Sequence, residues 1–493
     1  MRKSLVRWIA LVTSVISFAG LTSPGATLAA PPPRSQDVLR TPPTLTSANG
    51  ALRVTIVATP GKVRLGNQWI DGATYNGDYG GPILRLRQGD TLTMHFVNHL
   101  PQVTNVHFHG LGVSPQDHGD NSMHMVKPGE SWDYVIPIPK DHPPGVYWYH
   151  THGHMAAERQ LMGGLSGTLV IEGLQDEVIA TRPLVERMMA LKEYSPRRDG
   201  RLSNVPKPVN GIVRSINGQV DPVVAMRPGE TQLWRISAQT ANAYFRLTLK
   251  GAKIILLGRD ARPMPKPMPI SELLLGPSER ADLLVTAGPT GHYRFVDEAL
   301  STGPLGDLYP AQEMALVEVA PDAALGEAAP LAPLVVNAPK QVPIAGDRID
   351  AKRLVVFSED RITGLFFINH ETFDPERVDV RVPLGSIEEW TVRNATEELH
   401  VFHMHQLPFQ VLSINGKPQS FVGLRDTIDV PIHGEVRIRM AFTDPLILGK
   451  FMYHCHILEH EDKGMMAQVE VFDPRADAGK ALMAGMAMGH HGG

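Results

Sequence analysis

Four His-x-His pairs, His107/His109, His150/His152, His403/His405 and His454/His456, are the residues in this chain whose type and spacing could do chemistry. On an extended strand, residues i and i+2 point to the same face, so each pair presents two imidazoles side by side. The middle residue of the last pair is Cys455, the only cysteine of the chain. In the run His454-Cys455-His456-Ile-Leu-Glu-His460-Glu-Asp-Lys-Gly-Met465, that thiol is followed by an imidazole five residues on and a thioether five beyond it. His400, three residues before His403, can bring a second imidazole. Imidazole suits copper, iron, nickel and zinc, whereas a thiolate with two imidazoles and a weak axial thioether is the donor set of blue electron-transfer copper. Structural zinc sites use closed local Cys/His clusters with their own spacings, and none occurs here.

The elements that carry these pairs repeat. Leu84-Arg-Leu-Arg-Gln-Gly89 returns as Val224-Ala-Met-Arg-Pro-Gly229 and as Val380-Arg-Val-Pro-Leu-Gly385, each time ahead of an alternating strand. Eighteen and twenty residues after each glycine stand His107/His109, Leu247/Leu249 and His403/His405. A second marker begins at Gly145, Gly291 and Gly449, and five and seven residues on come His150/His152, Val296/Glu298 and His454/His456. The two outer copies therefore carry metal chemistry and the middle copy has non-ligand residues at the same places. Thr151 takes the place of Cys455 in the first copy, so one thiolate site is expected, in the third.

Short β-like runs such as Leu52 to Val57, Thr91 to Val97 and Val436 to Phe442 alternate with turns, and 45 Gly and 41 Pro favour β-sandwiches over helical bundles. The clearest helix candidate is Met155 to Met162. At 493 residues the chain exceeds one ordinary core. The net charge of −4 carries no basic excess, so no nucleic-acid partner and no membrane adhesion are expected. Arg2, Lys3 and Arg7 precede an apolar run from Trp8 to about Leu21 and small residues ending at Ala29-Ala30, the layout of a cleavable export signal. A periplasmic or secreted protein with one cysteine has no internal disulfide partner for it, and a metal is the natural keeper of that sulfur.

These motifs resemble those of the multicopper oxidases, the family of laccases, cuprous oxidases, bilirubin oxidases and ascorbate oxidase, over nearly all of the mature chain. The resemblance implies an all-β fold of three cupredoxin-like Greek-key β-sandwich domains. They are expected at residues 31–175, 176–335 and 336–474, after a signal at 1–30 and before a Met/His-containing tail at 475–493. It implies four copper ions: type 1 on His400, Cys455, His460 and axial Met465; type 2 on His107 and His403; and a type 3 pair on His109, His150 and His456 with His152, His405 and His454. The implied reaction takes single electrons from a phenol, an aromatic amine or Cu(I) and reduces dioxygen to water. Glu461 and Asp120, with Asp117 as the alternative to Asp120, are the expected proton-handling acids, and Asp426 resembles an acid beside the type 1 histidine of bacterial cuprous oxidases. Soft donors in the tail, in Met123-His124-Met125 and in Met264-Pro-Lys-Pro-Met268 suit Cu(I) and would fit a role in copper tolerance. The opposing reading, a metal-free structural relative associated with export, would lack ligands, and all twelve positions are filled.

Overall fold

Alternation of buried and exposed residues builds the sheets. In Thr91–Asn98 the side chains of Leu92, Met94 and Phe96 turn inward, and in Glu435–Phe442 those of Val436, Ile438, Met440 and Phe442 do the same. The computed structural model describes residues 37–66, 68–174, 184–194, 212–321 and 341–476. The expected signal, most of the Ala/Pro-rich stretch before the third copy and the tail beyond residue 476 lie outside the described residues.

Three pairs of sheets follow one another along the chain, so the fold is three cupredoxin-like β-sandwiches. The first pairs a sheet of Thr44–Thr46, Ile83–Leu86, Ser166–Ile171, Gly145–His150 and His107–His109 with one of Gln68–Tyr75, Ala51–Leu65, Thr91–Asn98 and Ser131–Pro137, each in that order. The second and third share one strand order with each other. Val185–Tyr194 lies parallel to Thr231–Ala238 in one, and Ala351–Asp360 parallel to Ser386–Asn394 in the other. Such parallel neighbours inside otherwise antiparallel sheets come from Greek-key crossovers. Equivalent tryptophans sit at the two centres: the Trp234 indole donates to Gln232 Oε1 (3.2 Å) and that of Trp390 to Glu388 Oε2 (2.8 Å).

Among the described residues helices are few and short, and two of them follow histidine pairs. Ala157–Gly163 begins later than the sequence pattern suggests, because Met155 takes a left-handed φ of 63° and Ala156 stays outside the helix. No side chain of its own caps that helix. Asp462, from the helix Leu458–Asp462 of the third sandwich, does so instead, accepting from the N–H groups of Ala157 (3.1 Å) and Glu158 (3.0 Å). The helices after the His150/His152 and His454/His456 pairs are thus tied to one another. No helix among the described residues is long and apolar enough to cross a membrane. Met264 is buried in the hydrophobic core while Met268 is 42% exposed.

The first and second sandwiches meet closely where Gly145 starts its strand. A Cβ there would lie 2.6 Å from the Ala261 carbonyl oxygen and 2.7 Å from its Cα, a clash with backbone that no side-chain rotation relieves. Gly145→Ala is expected to lower stability by about 1–3 kcal/mol, read as a fall in denaturation midpoint; an unchanged midpoint would refute this account of the contact.

Candidate metal centre

Strand register brings the histidine pairs together in two steps. Within the first sandwich His107–His109 runs antiparallel to Gly145–His150, with His107 opposite His150. Within the third, His400–Met404 runs antiparallel to Gly449–Cys455, with His403 opposite His454. The two sandwiches then face each other ring on ring: His107 stacks on His405 and His109 on His403, each at 3.9 Å between centroids. His454 Nε2 lies 3.3 Å from His152 Nε2 and 3.1 Å from His405 Nε2. His109, His150 and His456 sit with ring centroids 5.0 to 5.9 Å apart. All eight rings are buried.

Their hydrogen bonds set which nitrogen is left over. Nδ1 of His150 donates to the Thr151 carbonyl (2.7 Å), that of His403 to the Asp426 carbonyl (2.8 Å) and that of His454 to the Cys455 carbonyl (3.0 Å), so each of these rings carries its lone pair on Nε2. Nε2 of His107, His150 and His403 and both ring nitrogens of His456 find no partner in the protein. A buried, unsatisfied polar atom costs about 1–3 kcal/mol. Protons cannot relieve that cost, because burial foremost, and then repulsion between the rings, holds His109, His150, His152, His405 and His456 well below the usual imidazole pKa. A cluster of buried imidazoles with ring nitrogens left without protein partners is a donor set for metal cations, and the compact triads His107/His109/His150, His107/His403/His405 and His152/His405/His454 have the spacing for it.

A second centre lies on the other side of Cys455. Its Sγ is 3.4 Å from His400 Nδ1 and 3.7 Å from His460 Nδ1, and those two nitrogens are 3.1 Å apart. Thr396 Oγ1 holds His400 Nε2 at 2.8 Å and Glu398 Oε1 lies 3.3 Å from His460 Nε2, so both rings are turned with Nδ1 toward the sulfur. Met465 is buried, its carbonyl accepting from Cys455 N–H (3.1 Å) and its own N–H donating to the His460 carbonyl (2.9 Å). Burial pushes the Cys455 thiol up to about 12 and lowers His400 to about 3, so the sulfur needs a cation to become a thiolate ligand. At the matching place in the first sandwich, Thr151 bonds Thr104 Oγ1 (3.0 Å) and Gln160 Oε1 (2.5 Å), and a closed hydroxyl-amide network stands where the sulfur would be. In the middle sandwich, Glu298 accepts from Thr248 Oγ1 (2.8 Å), and Leu247 and Leu249 are core residues.

The carboxylates separate by partner. Asp120 is buried, lies 3.0 Å from His107 Nδ1, and accepts from the N–H of Phe108 (2.9 Å) and from Gln406 Nε2 (2.8 Å). Asp117 is exposed in a left-handed turn of the same loop, away from the rings. Glu461 faces His454 Nδ1 at 2.9 Å and His152 Nδ1 at 3.6 Å. Asp426 does not lie beside the thiolate-side histidines, contrary to the resemblance. Its strand pairs Thr427 with His403 and Val430 with His400, which carries Asp426 to the far end, 3.4 Å from His109 Nε2. There it accepts two bonds from Arg280, at 2.8 and 2.6 Å. Burial raises its pKa but the Arg280 guanidinium outweighs this, and the group is held well below the ordinary carboxylate range.

Arg280, Gln406, Thr396 and Glu398 were not singled out from the sequence. Arg280 comes from the middle copy, where no ligand motif points to it, and Glu398 was legible only as a residue two before His400. Removing Arg280 strips a buried carboxylate of its two short charge-assisted bonds and leaves it Thr427 Oγ1 at 2.9 Å and the more distant Arg262 at 3.6 Å, so Arg280→Met is expected to cost about 3–5 kcal/mol in chemical denaturation. Adding Asp426→Asn should recover most of the loss, and a double variant no better than the single one would contradict a charge-pair origin.

Comparison with known proteins agrees with this geometry. Multicopper oxidase family models match residues 59–176, 199–321 and 348–475, one for each sandwich. The chain is 26% identical to the multicopper oxidase mco of Staphylococcus aureus over 86% of this chain and 89% of that one. It is 27% identical to the cell division protein FtsP of Xenorhabdus nematophila, over 80% and 84%. The structure of a multicopper oxidase from Campylobacter jejuni, described as a metallo-oxidase, superposes with a TM-score of 0.76 at 28% identity, covering 89% of this chain and 96% of that one. With one match per repeat and about three quarters of its length covered, the chain belongs to the multicopper oxidase family.

Proposed function

We propose that this protein couples four one-electron oxidations of a small reducing donor to the reduction of dioxygen to water. One copper would be held by His400, Cys455, His460 and Met465. Three more would be held among the paired histidines: a type 2 ion at His107 and His403, and a type 3 pair at His109, His150 and His456 with His152, His405 and His454. The observation that carries the reading is the strand end at residues 454–456. Alternation turns Cys455 toward His400 and His460 and turns both neighbours toward the buried imidazole cluster, so one short stretch of backbone joins the two donor sets.

Copper ions held at these positions supply one-electron redox chemistry and the reduction of dioxygen. The chain's own residues hold the donors and move protons. The carbonyls of Thr151, Asp426 and Cys455 fix the tautomers, so the rings need not reorganise when they bind. Glu461, against His454 and His152, is placed to give up and retake a proton on one side of the cluster; Asp120, against His107 and Gln406, orients that ring on the other. Asp426, locked to Arg280, stays charged and balances positive charge near His109 and His403. The expected location is the periplasm or outside the cell, following the signal-like first thirty residues.

Similarity to the cell division protein supports a second reading, a structural role without turnover. It is disfavoured by the inward-facing lone pairs, which are costly without a cation and of no use to a purely structural sandwich. Purified protein is expected to bind about four copper ions, to show the colour of a copper–thiolate centre, and to consume dioxygen with ferrocyanide or a simple phenol without accumulating peroxide. Cys455→Ser should bind about one copper fewer, lose the colour and lose nearly all turnover. Absence of oxygen uptake with every donor would sink the oxidase reading, and a coloured, active Cys455→Ser protein would sink the bridge through residue 455.

A further inference from the structure

Gln406, the residue after His405, is held in a backbone conformation that its own chemistry does not favour. Its φ of 67° is left-handed, and Leu407 N–H donates to the His405 carbonyl (2.8 Å) to close a three-residue turn around it. With positive φ at its centre, this is the rarer and more strained of the two turns of that size. Most of the other left-handed non-glycine residues among the described ones are Asn, Asp or His, the types that enter this region most readily, and Gln is not such a type. The Gln406 side chain is 3% exposed, and its Oε1 finds no partner in the protein. Strain and a buried, unsatisfied acceptor are both costs, and they persist where the surroundings over-determine them.

The turn delivers one contact across the seam between two sandwiches. Gln406 Nε2, from the third, donates to Asp120 Oδ2, in the first, at 2.8 Å. Asp120 Oδ1 accepts from Phe108 N–H (2.9 Å), and His107 Nδ1 lies 3.0 Å from Oδ2 and 3.1 Å from Oδ1. The carboxylate is fully buried and, among the described residues, forms no ion pair with an arginine or lysine, so these N–H groups hold it in place. With the amide on one oxygen and the main-chain N–H on the other, it cannot rotate away from His107. That ring then has one orientation, Nδ1 on Asp120, which leaves Nε2, without a partner in the protein, as the nitrogen available to a cation. His107 also stacks on His405 at 3.9 Å, and Gln406 is the next residue of that chain segment. Backbone, amide, carboxylate and imidazole thus close a circuit that fixes a ring of the first sandwich against a ring of the third.

We propose that Gln406 is a positioning residue of the cluster: by clamping Asp120 it holds His107 with Nε2 aimed at the ion that His107 shares with His403. The proposal rests on the copper reading of the cluster and adds to it a residue outside the donor set. Glycine enters a left-handed turn without strain, so the turn alone does not call for glutamine. The role assigned to Gln406 lies in its amide. Removing an outer partner of this kind lowers metal affinity by about 10–100-fold although the partner never touches the metal.

Gln406→Gly and Gln406→Ala both remove the amide, and only the first relieves the turn, so together they separate the side chain's role from the backbone's. Each is made in the full chain and again with Cys455→Ser, which removes the thiolate centre and leaves the cluster as the source of the electron paramagnetic resonance signal. The metal-free Gln406→Gly protein is expected to denature at a higher urea midpoint than Gln406→Ala. Both should nevertheless show the same altered hyperfine coupling of the type 2 copper, and both should give up one copper to a competing chelator about tenfold more readily than the wild type. An unchanged signal and unchanged copper retention in both variants would overturn the proposal while leaving the copper reading intact. Retention restored to the wild-type level in Gln406→Gly but not in Gln406→Ala would overturn it as well, by assigning the effect to the turn. Wild-type protein that takes up no copper at the cluster would overturn the copper reading itself.

Discussion

Eight imidazoles buried against one another, several with ring nitrogens that find no partner in the protein, are the constraint on which the rest of the molecule depends. Such a cluster is costly in a dry interior, and its rings stack closely on one another across two sandwiches, His107 on His405 and His109 on His403. It persists because the surroundings over-determine it. Antiparallel register fixes the pairs opposite each other, backbone carbonyls hold Nδ1 of three rings, and Asp462 ties the helix after one pair to the helix after another. Cations that bind this arrangement and not the unfolded chain would stabilise the fold by mass action, so metal loading and folding stability should be linked quantities.

The same sandwich used three times shows what it takes to make or unmake a site. In the third copy Cys455 and His400 complete a sulfur centre; in the first, Thr151, Thr104 and Gln160 satisfy one another and close the equivalent space. The middle copy has Leu247, Leu249, Val296 and Glu298 where the outer copies have histidines, but it is not a spacer. Its Arg280 reaches out of its own sandwich to pair with Asp426, and its Ala261 sets how closely the first sandwich can approach. Copies without ligands still shape the copies that have them.

What could be read from the sequence follows a simple physical division. The histidine pairs and Cys455 were legible because i, i+2 geometry is local to a strand, and the repeat spacing placed equivalent strands without any three-dimensional knowledge. The helix near residue 157 was legible in kind but not in its start, since a left-handed turn at Met155 leaves little trace in hydrophobic pattern. Asp426 was misplaced because its neighbours depend on which rung of the His400–Met404 ladder it meets, and a few rungs separate one centre from the other. Arg280 and Glu398 were missed for the same reason: their roles arise from the facing of separate elements, which composition and spacing do not encode.

Charge is divided across the two sides of the Cys455 strand. On the cluster side, the carboxylates are enclosed: Asp426 takes Arg280, Asp120 takes a main-chain N–H and Gln406, and Glu461 lies 2.9 Å from His454 Nδ1 and 3.6 Å from His152 Nδ1. Fixed partners suit groups that must hold charge or pass protons without admitting bulk water. On the His460 side, carboxylates line an open cavity, where their field reaches whatever approaches from outside. The residue type is the same, and enclosure decides the task. The fold keeps the two apart by the one strand that connects the centres.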